Sequence, residues 1–104
     1  MDEIVVFITC PTQREAEKIG RSLVENRLAA CANIVPSITS IFSWEAKTCR
    51  EEEVLMLVKS RKAVLKKMIV SVKRQHSYSL PEIIALPIVG GSEDYLNWIL
   101  ENTR

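Results

Sequence analysis

No uncharged apolar run in the 104 residues approaches the ~20 that a membrane-spanning helix requires. The chain also opens Met1-Asp2-Glu3, without the basic start of a secretory signal, so a cytoplasmic protein with no membrane partner is expected. Glycine and proline are sparse, 3 and 4 residues, which excludes collagen-like and low-complexity chains. There are three cysteines, Cys10, Cys31 and Cys49, an odd number with no C-x-x-C pair, so neither a disulfide scaffold nor a zinc hairpin is indicated. A formal net charge of +1 supplies no overall attraction to nucleic acid or anionic lipid. Catalytic signatures are missing too: there is no glycine-rich phosphate loop, no H-E-x-x-H, and the Thr9–Thr12 segment lacks the Gly and Arg of an acylphosphatase-like anion loop. A Cys10–His76 nucleophile pair would have no evident oxyanion partner, so the chain is not expected to be an enzyme.

What remains is an ordinary globular composition, 47% hydrophobic and 26% charged, in a length that suits one domain over residues 1–104. Residues 3–10 (EIVVFITC) are nearly continuous apolar and β-branched, the pattern of a central strand, β1. Thr12 and Glu15 have capping-box spacing ahead of a helix, α1, that ends near Asn26 and buries Ala16, Ile19, Gly20, Leu23 and Val24. Residues 30–45 form a long strand, β2, bent at Pro36, whose missing N–H interrupts the ladder. A turn over 45–49 leads to β3, residues 51–59. Ser60 is positioned to cap α2, whose stripe is Val64, Leu65, Met68, Ile69 and Val72 and which ends around His76. Residues 82–89 form β4, and Ser92 precedes a short C-terminal helix, α3.

The order β-α-β-β-α-β-α predicts an α+β fold, a ferredoxin-like split β-α-β sandwich with a long β2–β3 hairpin. Helices on one sheet face leave the other bare, yet β1 and β3 are apolar on both sides, so association of subunits is expected. The right-handed crossover places Cys10, Cys49 and His76 at one rim and Cys31 at the other, across a strand of roughly 26 Å. Thiol and imidazole together suit a soft ion such as copper or zinc. Cys10, just before the α1 N-terminus, is the thiol expected to have a lowered pKa, whereas Cys31 between alanines is expected to pack. Residues 54–81 hold Lys59, Arg61, Lys62, Lys66, Lys67, Lys73 and Arg74 and no acid. Because β3 lacks the aromatic signature of RNA-binding relatives of this topology, that basic surface reads as solvated and no nucleic-acid partner is expected.

Several ordered segments, among them VFITCP (6–11), RLAACANIVP (27–36), TSIFSWE (39–45), EVLMLVK (53–59), PEIIALP (81–87) and YLNW (95–98), make the chain resemble the CutA divalent-cation tolerance family over nearly its whole length. That resemblance implies a cytoplasmic, PII-like homotrimer linked to tolerance of copper and other divalent metals, with no established catalysis. It implies His76 as a metal ligand. Cys10 stands two positions after the cysteine of some copper-binding relatives, where this chain has Ile8, and Gln75 replaces a second histidine. The run His76-Ser77-Tyr78-Ser79-Leu80-Pro81-Glu82 departs from the family's His-Pro-Tyr-Glu. The expected site is an inter-subunit cleft holding metal at His76 and Cys10, lined by Tyr78, Glu82 and Trp44 of a neighbouring hairpin. The alternative is a PII-like signalling or scaffold trimer that binds a small effector or partner protein in that cleft.

Overall fold

The computed structural model describes residues 2–104. Its elements are β1 (Glu3–Cys10), α1 (Gln13–Glu25), β2 (Cys31–Trp44), β3 (Lys47–Arg61), a 3-10 turn (Lys62–Val64), α2 (Leu65–Gln75), β4 (Ile83–Pro87) and α3 (Glu93–Glu101). The sheet order is β2-β3-β1-β4, antiparallel throughout, which is the ferredoxin-like arrangement.

Strand alternation divides the residues between two faces. Ile4, Val6, Ile8 and Cys10 lie beside Ser60, Val58, Met56 and Val54, and all eight are buried. Ala16, Ile19 and Leu23 of α1 and Met68 and Val72 of α2 pack on that surface. α1 lies so close that a Cβ at Gly20 would stand 3.2 Å from the Ala32 Cβ, which explains a glycine in a helix interior. The opposite face carries Val5, Phe7, Leu55 and Leu57, only half-buried, and Ile84 and Leu86, which are exposed. α3 covers one end of it, packing Leu96 and Ile99 with Ala30 and Ile88. Arg61 Nε donates to the Thr103 carbonyl at 2.9 Å, and Arg27 donates to the carbonyls of Glu101 and Arg104, so two arginines hold the end of α3.

Beyond Val54 and Val35, β3 and β2 pair only with each other, and this two-stranded arm accounts for the 43 Å long axis. A bulge between Val35 and Ile38 falls where Pro36 predicts a bend. The turn, expected over residues 45–49, is only Glu45-Ala46, with φ of 49° and 63°, because Lys47 and Thr48 pair with Trp44 and Ser43. Two consecutive left-handed residues match the twist of a hairpin but suit Asn-Gly better than Glu-Ala. Glu45→Asn with Ala46→Gly should therefore stabilise the fold by about 1 kcal/mol, read as a raised urea midpoint at unchanged slope.

Other local expectations change for similar reasons. Ser60 does not cap α2: β3 continues through it, Ser60 pairs with Ile4, and its hydroxyl donates to the Leu28 carbonyl at 2.7 Å. Ser92 makes no side-chain cap, and Val24, placed on the α1 stripe by spacing, is exposed. Thr12 Oγ1 does accept from the Glu15 N–H at 3.1 Å, but Glu15 does not reach back to close the box. Its carboxylate goes elsewhere, and that diversion builds the site.

A buried thiol–imidazole–carboxylate cluster beside an acidic groove

β1 ends at Cys10 and α2 ends at His76, so the sheet and the helix layer deliver both side chains to one rim. Cys10 Sγ lies 3.7 Å from His76 Nε2 and 3.7 Å from the Met56 sulfur. Glu15, from the first turn of α1, completes the cluster, with one ligand atom from each of the three residues within 4.8 Å of the others. Glu15 Oε2 accepts from the Ser77 N–H at 3.0 Å and the Ser77 hydroxyl at 3.1 Å, and it stands 3.4 Å from His76 Nδ1.

The hydrogen bonds determine the imidazole's form. Nε2 lies 2.7 Å from the Thr9 carbonyl, which can only accept, so Nε2 carries the proton. Nδ1 lies 3.0 Å from the Tyr78 N–H, which can only donate, so Nδ1 is bare. In this form the ring is neutral and its approach to Glu15 is not an ion pair. Binding a metal through either nitrogen would break one of these bonds. In donor type, however, thiol, neutral imidazole and carboxylate fit a soft or borderline cation.

Cys10 corrects an expectation. Its position before α1 suggests a lowered pKa, but burial first, then the Glu15 and Glu53 carboxylates, push the thiol up to about 12. It is fully buried, so desolvation and two anions outweigh the helix N-terminus, and the sulfur is a thiol rather than a reactive thiolate. Cys49 does not join it: it sits on the arm opposite Phe42, beyond the end of β1. Cys31 lies at the far end, as topology requires, but is only partly buried, with Sγ 3.6 Å from Asn33 Oδ1 rather than packed among alanines.

Tyr78, Glu82 and Trp44 lie outside the cluster. They line an adjoining groove of about 770 Å³ between the arm and residues 77–82. Trp44 enters it from the chain's own hairpin. Tyr78 stands at the boundary: its N–H holds His76, its ring lies 4.9 Å from the imidazole, and its hydroxyl donates to Glu53 at 2.8 Å. Burial, then the hydrogen bond and charge of Glu53, then Glu51, raise its pKa. Glu15 and Glu53 were not legible as site residues. Glu15 reads as half of a capping box and Glu53 as one of three strand glutamates; only the alternation that sets Glu53 on the face of Thr9 hinted at its place.

The profile of the family described as "CutA1 divalent ion tolerance protein" matches residues 4–102. The chain is 48% identical over 101 residues to the divalent-cation tolerance protein CutA of Thermus thermophilus, covering 97% of this chain and 98% of that one. It is 44% identical over 101 residues to the chloroplastic protein CutA of Arabidopsis thaliana, covering 97% of this chain but 56% of the relative, so it spans little more than half of that protein. The solved Cut A1 structure from Thermus thermophilus superposes with a TM-score of 0.96 at 47% identity, covering 98% of this chain and 99% of that one.

Proposed function

The chain belongs to the CutA1 divalent ion tolerance family, and from that premise we propose that it binds a soft or borderline cation, copper or zinc, at Cys10 and His76 with Glu15 as a third donor. The observation that carries the reading is the convergence of the three ligand atoms within 4.8 Å. A metal there would organise the three donors and take the place of the thiol proton. Its binding is the function; no catalysis is part of the proposal.

Anaerobic calorimetric titration of Cu(I), Cu(II) and Zn(II) into wild type, His76→Ala and Cys10→Ser tests it. One site per subunit is expected, weakened at least about tenfold in each variant. Equal, weak binding by all three proteins would remove the metal role.

The working form proposed is a PII-like homotrimer. Half-buried Phe7 and Leu57 and exposed Ile84 and Leu86 form an apolar face that the helices leave open, and the arm has unpaired edges, both of which neighbouring subunits would cover. A cytoplasmic location is proposed with it, supported by three cysteines that form no disulfide. No helix among the described residues is long and apolar enough to cross a membrane.

The groove favours a second reading, in which the trimer is a signalling or scaffold protein that binds a small effector. At about 770 Å³, lined by Trp44 and Tyr78, it has the size and character of a small-molecule site. Native mass spectrometry of protein taken directly from cells distinguishes the readings by the retained mass, a metal or an organic ligand.

A further inference from the structure

The groove between the arm and residues 77–82 has a strong bias of charge. Glu51, Glu53 and Glu82 line it, and no lysine or arginine among the described residues does, in a chain whose formal net charge is +1. Cross-strand register accounts for the bias. Glu53 and Glu51 lie opposite Ile38 and Ser40 on the arm face that also carries Phe42 and Trp44. Glu52, the intervening residue, points to the other face, where it pairs with Arg50 at 3.1 Å. None of the three groove carboxylates has a salt-bridge partner among the described residues. Among the described residues Glu53 accepts only the neutral Tyr78 hydroxyl. Lys47, opposite Trp44 at the tip, is not among the residues lining the groove.

The rest of the lining combines aromatic and aliphatic side chains, Phe42, Trp44, Tyr78, Ile41 and Leu80, with Cys49, Thr9 and four serines. Trp44 is 43% exposed and Phe42 38%, at one side of a cavity that the carboxylates share. An aromatic face beside unneutralised carboxylates attracts a cation whose charge sits on a carbon framework, because the ring quadrupole and the anions act on the same charge while the framework covers the apolar wall. A small hydrated metal ion would leave the aromatic side unused, and an anion would meet carboxylates.

From this charge complementarity we propose that the groove binds an organic cation, an ammonium or guanidinium group on an apolar stem, with Trp44 and Phe42 against the stem and Glu51, Glu53 and Glu82 around the charge. The inference rests on the effector reading of the groove and names its ligand class. It is separate from the metal reading, since Cys10, Glu15 and His76 do not line the groove.

Three probes of nearly one shape test it: phenethylammonium, phenethyl alcohol and phenylpropionate, which are cationic, neutral and anionic. Trp44 and Trp98 are the only tryptophans, so a Trp98→Phe background makes Trp44 the sole reporter by fluorescence. Saturable quenching by phenethylammonium is expected, with the alcohol and the carboxylate each at least about tenfold weaker. Glu51→Gln with Glu82→Gln, both at exposed positions, should abolish the preference for the cation while leaving sedimentation unchanged. Equal binding of all three probes would overturn the cation class and leave an effector groove in place. Failure of every probe to quench at millimolar concentration would overturn both. Displacement of phenethylammonium by Mg²⁺ at equal concentration would show a site for simple ions and would also overturn the proposal.

Discussion

Phe7→Glu combined with Leu57→Lys is expected to convert the proposed trimer into single folded subunits at micromolar concentration. The two residues are direct cross-strand partners on the face away from α1 and α2, both only half-buried in the isolated chain. Burying side chains of this size contributes roughly 1.5–3 kcal/mol each, and burying a charge in their place costs more. Repeated by symmetry in every subunit, that penalty exceeds what a marginal interface tolerates. The opposite charges meet across β1 and β3, where such pairs are favourable, so the subunit should keep its fold. The helix-facing set, Ile4, Val6, Ile8, Val54, Met56 and Val58, is untouched and fully packed. Sedimentation distinguishes three subunits from one, and far-ultraviolet circular dichroism checks the fold. A double variant that still sediments as three subunits, or a wild type that sediments as one, removes the trimer proposal.

The second large effect is a loss of stability in alkali that depends on Cys10. The thiol ordinarily titrates near 9.0 and is pushed up to about 12 in the fold by burial and by Glu15 and Glu53. A folded-state pKa above the unfolded one means that the folded protein holds the proton across that interval while the unfolded chain releases it. The stabilising contribution is therefore complete below pH 9 and declines as pH rises toward about 12, at up to about 1.4 kcal/mol per unit. Cys10→Ala removes the titrating group, so urea midpoints of wild type and variant should diverge in slope only above pH 9, with wild type falling more steeply. Parallel slopes would contradict the buried, anion-flanked thiol. The same environment should protect Cys10 from iodoacetamide at about pH 8 in the native state, with Cys31 and Cys49, both partly exposed, alkylated first.

The two outcomes bear on different layers of one design. The sheet's outer face concerns which form the protein works in, while the rim beyond Cys10 concerns what it holds. Residues 76–78 link the cluster to the groove: Tyr78 touches His76 with its N–H and Glu53 with its hydroxyl, and Ser77 holds Glu15. A ligand held through Nδ1 would displace the Tyr78 N–H and so couple the cluster to the groove, whereas one held through Nε2 would release only the Thr9 carbonyl.

Much of the architecture was legible because it depends on local patterns. The apolar run of residues 3–10, the Thr12 cap, the helical stripes and the bend at Pro36 follow from period and backbone chemistry within a few residues, and the α+β ferredoxin-like order follows from their succession. Element ends were less so. Ser60 has a cap's composition but lies where β1 offers a pairing partner, and a strand ladder outweighs one side-chain hydrogen bond. The Glu45-Ala46 turn carries no glycine or asparagine, so nothing local marked it as two residues.

The amino-acid order by itself therefore determined the succession of elements, their handed connections and the rim on which Cys10 and His76 fall, but not which of two apolar sheet faces the helices cover. It could not determine which carboxylate meets them, which imidazole nitrogen keeps its proton, or that a thiol near a helix N-terminus is held neutral. Those depend on contacts between residues 60 or more positions apart and on exclusion of water, both of which exist only once the layers have closed.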